Sequence, residues 1–109
     1  MKALLVSVVV FIGQMNMLQQ KRVVHLQPHS GVIRADFGGK LLELRNAPTI
    51  VYLPMSPPKL DFQGNLWSID IRNLGPEVVT VVGTSQFSAR IIPNQTLHVF
   101  SNGTAYSTK

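Results

Sequence analysis

Residues 67–106 read W-S-I-D-I-R-N-L-G-P-E-V-V-T-V-V-G-T-S-Q-F-S-A-R-I-I-P-N-Q-T-L-H-V-F-S-N-G-T-A-Y, from Trp67 to Tyr106. Short apolar–polar alternations are cut by turn signals. Trp67, Ile69 and Ile71 fall on one face of a strand, and Ser68, Asp70 and Arg72 on the other. Asn73-Leu74-Gly75-Pro76 ends that run, because proline lacks an N–H and glycine permits positive φ. A Val-rich run, 78–82, ends at Gly83-Thr84-Ser85-Gln86. Phe87, Ala89 and Ile91 then alternate with Ser88 and Arg90, and Pro93-Asn94 turns the chain. Leu97 and Val99 alternate with Thr96 and His98, which leaves His98 and Phe100 pointing outward. Asn102-Gly103 is a strong hairpin signal. The pattern is that of a β-meander or a piece of a β-sandwich.

Upstream, residues 21–28 read as a first strand, with Val23, His25 and Gln27 on one face. His29-Ser30-Gly31 is a turn, and 32–37 a second strand. Gly38-Gly39 reads as a hairpin turn, 41–44 as a third strand and 49–53 as a fourth, with Ile50 and Tyr52 opposite Val51 and Leu53. Residues 54–58, Pro-Met-Ser-Pro-Pro, cannot lie in a central strand and read as an extended connector. The connector divides the β-rich region into two blocks of about four strands, 21–53 and 60–109. Neither block buries enough alone, so residues 21–109 are expected to form one small antiparallel β-sandwich of seven to eight short strands.

The chain has 109 residues, room for one modest core. Apolar residues make up 45% of it, which excludes a disordered protein, and charged residues only 14%, which raises self-association early. The net charge is +5, with a pI near 10.1. The basic residues are scattered, and a nucleic-acid binder concentrates its charge among aromatics. The absence of cysteine excludes disulfides, thiolate catalysis and thiolate metal sites.

Residues 1–20 stand apart. Met1-Lys2 precedes an apolar run, Ala3 to Gly13, broken only by Ser7. It is too short to span a bilayer, which needs about 20 residues. Two readings stand side by side: a signal-like or anchoring segment, though without an A-x-A cleavage site, and a buried Val-rich structural segment. On the second reading Leu5, Val8, Val10, Phe11 and Ile12 are interface candidates, joined by Phe100. Any membrane contact would run through residues 3–13.

Chemistry-bearing constellations are weak. His25 and His29 are separated by Pro28, which disrupts a helical ligand pair, and His98 is remote. The carboxylates Asp36, Glu43, Asp61, Asp70 and Glu77 read as turn or solvated strand residues. No G-x-S-x-G nucleophile motif or phosphate loop is present. The expectation is a non-enzyme with no metal and no cofactor. Asn94-Gln95-Thr96 and Asn102-Gly103-Thr104 match the glycosylation sequon and matter only in a secreted eukaryotic protein.

Ile69 to Pro76, the Val-rich strand ending at Gly83, Ile91-Ile92-Pro93-Asn94 and Gly103-Thr104-Ala105-Tyr106 together resemble the small β-domains of tailed-phage virion proteins: decoration, head-fibre and tail-associated modules. The likeness covers about the last 40 residues and is one of strands and turns. It departs from the pattern at Thr84-Ser85-Gln86, where a Gly-rich loop is usual. It implies a structural, non-catalytic subunit of a symmetric particle, located in the virion, with residues 3–20 buried against neighbouring subunits. Two further readings are carried forward. One is an exported, secreted or periplasmic, glycan- or small-ligand-binding module using Trp67, Tyr52 and Tyr106, although Trp67 shares its face with core-forming isoleucines. The other is a basic β-barrel that binds single-stranded nucleic acid.

Overall fold

The computed structural model describes residues 22–25, 31–45 and 48–108. Their elements are β1 (Val23–His25), a 3-10 turn (Ala35–Phe37), β2 (Leu41–Leu44), β3 (Ile50–Tyr52), β4 (Ser68–Asn73), β5 (Val79–Val82), β6 (Ser88–Ile91), β7 (Thr96–Ser101) and β8 (Tyr106–Thr108). Five strands form one sheet in the order β1-β2-β4-β7-β8, called sheet A; three form sheet B in the order β3-β5-β6.

Alternation sets the inner faces. Trp67, Ile69, Ile71 and Asn73 all point inward from β4 and its approach, and Val79, Val81, Val51 and Leu53 do so from sheet B. These residues, with Ile33, Phe37, Leu42, Leu44, Ile91, Val99 and Tyr106, make one hydrophobic core drawn from both sides of the proline connector. The all-β, eight-strand, two-sheet expectation holds, with three strands before the connector and five after it.

The pairing differs from the expected antiparallel one. β1 with β2, β2 with β4, and β3 with β5 are parallel, while β4 with β7, β5 with β6, and β7 with β8 are antiparallel. The cause is that the chain changes sheet at most of its breaks. It runs β1 in sheet A, Gly31–Ile33 beside β3 in sheet B, β2 in A, β3 in B, β4 in A and β5 in B. Two strands separated by an excursion to the other sheet meet again in parallel. The N-terminal half is therefore wound, and the C-terminal half, with its hairpins β5–β6 and β7–β8, folds back on the winding.

Two local expectations are corrected. Residues 32–37 are not a strand. Only Val32 bridges, to Tyr52, and Ala35–Phe37 is a 3-10 turn that carries the chain back to sheet A. Ile33 and Phe37 are buried, but Ala35 between them is exposed, which breaks the alternation a strand would show. Gly38-Gly39 is likewise no hairpin: Gly38 closes the 3-10 turn onto Ala35 O, and Gly39, at φ +78°, leads into β2.

Each end of the sandwich is closed by polar contacts. At one end Asn73, buried, donates through Nδ2 to Glu77 O (2.6 Å) and Ile91 O (2.9 Å), and its Oδ1 accepts from Gly75 N (3.0 Å). Its backbone also accepts from Asn94 N and donates to Gln95 O. One side chain and its peptide thus tie together both crossovers, β4–β5 and β6–β7. At the other end the connector is held by β8 and β7. Tyr106 donates from its hydroxyl to Pro54 O (2.6 Å), and Ser101 donates to Pro58 O. Trp67 Nε1 donates to Ala35 O (2.8 Å), and its ring meets Tyr106 edge-on at 6.1 Å.

Burial pushes the Tyr106 phenol up to about 12 from its ordinary 10.0, since the phenolate would lose its water. The folded pKa is raised, so the stability tied to this group is complete below pH 10 and falls as pH rises through 12. A spectrophotometric titration is expected to show one phenol ionising late, coincident with alkaline unfolding. Tyr106→Phe should remove the late step and lower stability by about 1 kcal/mol, the net value of one hydrogen bond.

Candidate association surface

The two sheets present different outer faces. On sheet A the outward residues of neighbouring strands form a polar lattice. Glu43 lies opposite Arg72 with an ion pair at 3.9 Å, and Arg72 Nε donates to Thr96 Oγ1 at 3.3 Å. His98 Nδ1 donates to Asp70 Oδ1 across the β4–β7 pair. A carboxylate accepts only, so Nδ1 carries the proton. Phe100, on the same face, lies opposite Ser68 and Ser107 and is 37% exposed.

Sheet B is largely apolar on the outside where its strands are parallel, with Thr80 beside Ile50 as a polar exception. β3 buries Val51 and turns Ile50 and Tyr52 outward, and its neighbour Val32 points outward too; the three are 45%, 51% and 55% exposed. Val32, Tyr52, Leu53, Pro54, Met55, Val82, Gly83 and Thr84 line an open cleft of about 420 Å³ at the end of β3 and β5. Besides the Tyr52 hydroxyl its lining carries Thr84 Oγ1, which is buried without a hydrogen-bond partner. Parallel strands are found almost only in sheets covered on both faces. The run Ile50-Val51-Tyr52-Leu53 has the continuous apolar character of such a strand, yet among the described residues nothing covers one of its faces.

A second apolar feature follows the connector. Leu60 and Leu66 bridge the base of a tight hairpin whose tip is organised by Asp61 Oδ1, which accepts from Gln63 N and Asn65 N. Gly64, at φ +83°, completes the turn. Phe62 sits near the tip, almost wholly exposed, as is Met55 on the connector.

The residues singled out from the sequence fall in three places. Leu5, Val8, Val10, Phe11 and Ile12 lie outside the described residues, as does His29. Trp67 is fully enclosed with its only donor engaged, so it offers no stacking face, and Tyr106 is buried against it. Tyr52 alone of the three aromatic candidates is exposed, and it lines the cleft. Among the described residues no three of His, Asp and Glu converge as metal ligands. Sequence reading missed Val32, Ile50, Met55 and Phe62 as surface. The signal available was a strand apolar on both faces, 50–53, whose outer row needed an owner.

No protein-family model, curated protein or solved structure matches the chain.

Proposed function

We propose that this protein is a non-catalytic structural β-domain that works by self-association, as a subunit of a virion or similar surface assembly. The observation that carries the reading is the outer face of sheet B. Val32, Ile50 and Tyr52 form one apolar surface, continuous with the cleft at Val82 and Met55. Contiguous exposed apolar surface on a chain this poor in charge is the mark of an interface. Closed symmetric homo-oligomers are the commonest way to cover such a face, so its occupant is a second copy. The virion setting rests on the resemblance of residues 67–106 to phage β-domains.

Light scattering on the full-length chain is expected to give a trimer or higher oligomer. Ile50→Lys combined with Tyr52→Asp should shift it to monomer. Both side chains point outward from β3, so the urea midpoint should change little, within about 0.5 kcal/mol for each surface substitution. A monomer for the unsubstituted chain at high micromolar concentration would sink the reading.

The cleft favours one second reading, a binding module for a small apolar ligand with a single polar group facing Thr84 Oγ1. A glycan is a poor match for an apolar lining. Chemical shifts of Val82 and Thr84 that stay unmoved across a panel of fatty acids and aromatic alcohols would remove it.

A further inference from the structure

We propose that the 60–66 hairpin of one copy enters the sheet-B cleft of a second copy, with Phe62 as the buried anchor. This rests on the self-association reading and names the contact that carries it. Leu60 and Leu66 bridge at the hairpin base, and Asp61 N donates to Asn65 O (2.8 Å) above them. Gly64 N donates to Asp61 O (3.1 Å), and Gly64 at φ +83° closes a three-residue loop. Phe62 occupies the first corner of that loop. It is 88% exposed, so it fills no space on its own chain.

The hairpin holds this ring in a fixed place. Asp61 Oδ1 accepts from Gln63 N (2.9 Å) and Asn65 N (3.0 Å). The base is tied to the core, because Trp67, fully buried, donates from its backbone N to Lys59 O (3.1 Å). An element ordered in advance loses little entropy on binding. Aromatic side chains that insert at the centre of an interface are the ones that carry association. Phe62, with Leu60 and Leu66 exposed below it, has the composition of such an anchor.

The cleft is the complement of the hairpin. At about 420 Å³ between Tyr52, Met55, Val82 and Thr84 it takes a phenyl ring, and its lining residues carry no charge. The tip, residues 62–65, Phe-Gln-Gly-Asn, carries none either. The contact therefore strips no ion of its water. Gln63, beside the anchor, brings an amide that both donates and accepts. Thr84 Oγ1, buried in the cleft without a partner, is the group it would satisfy. The turn after Thr84 holds Ser85 and Gln86 at φ 58° and 65°, a costly backbone for residues other than glycine and one that clusters at binding sites. Hairpin and cleft are different patches of one surface, so the contact can repeat head to tail and close into a ring of three or more.

The test uses the full-length chain and light scattering. Phe62→Ala should raise the dissociation constant at least about 30-fold, and Phe62→Asp should give monomer with the near-ultraviolet signal of Trp67 unchanged. Phe62→Asp is then mixed with the Ile50→Lys, Tyr52→Asp chain, which has lost the cleft but kept the hairpin. One intact hairpin meets one intact cleft, and a pair holding one copy of each is expected. Two monomers that stay apart on mixing overturn the proposal, because the hairpin then meets some other surface. A Phe62→Asp chain that keeps the parent mass also overturns it and leaves self-association standing; a monomeric parent removes the reading beneath it. The absence of cysteine allows a second readout. Untagged Gln63→Cys and tagged Thr84→Cys chains should join in a mixed disulfide, whereas Thr104→Cys in place of Thr84→Cys should not. Equal reaction at both positions, or none at either, overturns the proposal.

Discussion

Gly38→Ala is expected to be among the most damaging small substitutions in this protein, lowering stability by about 3–5 kcal/mol in urea titration. A methyl at position 38 would sit 2.4 Å from Trp67 Nε1 and 2.5 Å from Cδ1. The backbone there is at φ −54°, so conformational strain contributes nothing and the effect is steric. The indole is enclosed on all sides and cannot swing away without breaking its bond to Ala35 O and its contact with Tyr106. Overpacking costs about 1–3 kcal/mol and an orphaned buried donor about as much again. A double-mutant cycle isolates the cause. In a Trp67→Phe background the pyrrole edge is gone, and Gly38→Ala should cost much less, a coupling of roughly 1–3 kcal/mol. Additive effects would mean that Gly38 acts by some route other than the indole.

Asn73 supplies the other large effect. Asn73→Leu removes the hydrogen bonds that bind Gly75, Glu77 and Ile91 and is expected to cost about 4 kcal/mol, since each stranded buried partner costs about 1–3 kcal/mol. Asn73→Asp distinguishes hydrogen bonding from packing. Its shape is that of asparagine, but a carboxylate oxygen would face two carbonyl oxygens where an amide now donates. The folded-state pKa of that aspartate should rise above its ordinary value of about 3.9. A raised folded pKa means that the variant is least impaired below pH 3.9 and loses stability as pH rises through the folded pKa. A variant whose deficit relative to the parent is flat from pH 3 to pH 8 would contradict the hydrogen-bond account.

The strands were largely legible because local alternation sets which side of a strand is buried. Trp67, Ile69 and Ile71 face inward as their spacing says, and Val51 and Leu53 do so opposite Ile50 and Tyr52. The connector was legible because proline removes ladder donors. The partners of each strand were not legible, because the loops that change sheet and the loops that turn back have similar lengths and similar residues. Leu74–Val78 crosses to sheet B while Gly83–Phe87 makes a hairpin, and both are five residues long. The hairpin adopts left-handed backbone at Ser85 and Gln86, residues that do not announce it. Asn73 read as an ordinary turn former, although its buried side chain makes three hydrogen bonds. The 32–37 segment misled because Val32, Ile33 and Phe37 are all apolar, and only the crossover makes them a bridge and a turn. The candidate surface was legible only in part: Tyr52 was noted, but its neighbour Val32 comes from a distant part of the sequence.

The winding also governs the order in which the protein can acquire its shape. Among the described strands the near-neighbour pairings are the β5–β6 and β7–β8 hairpins, both late in the chain, and each parallel pairing waits for a detour through the opposite layer. Closing short loops costs less entropy than closing long ones. Nucleation therefore belongs to the carboxyl-terminal half, and a nascent chain leaving the ribosome must carry its amino-terminal strands unmatched until the template for them has been made.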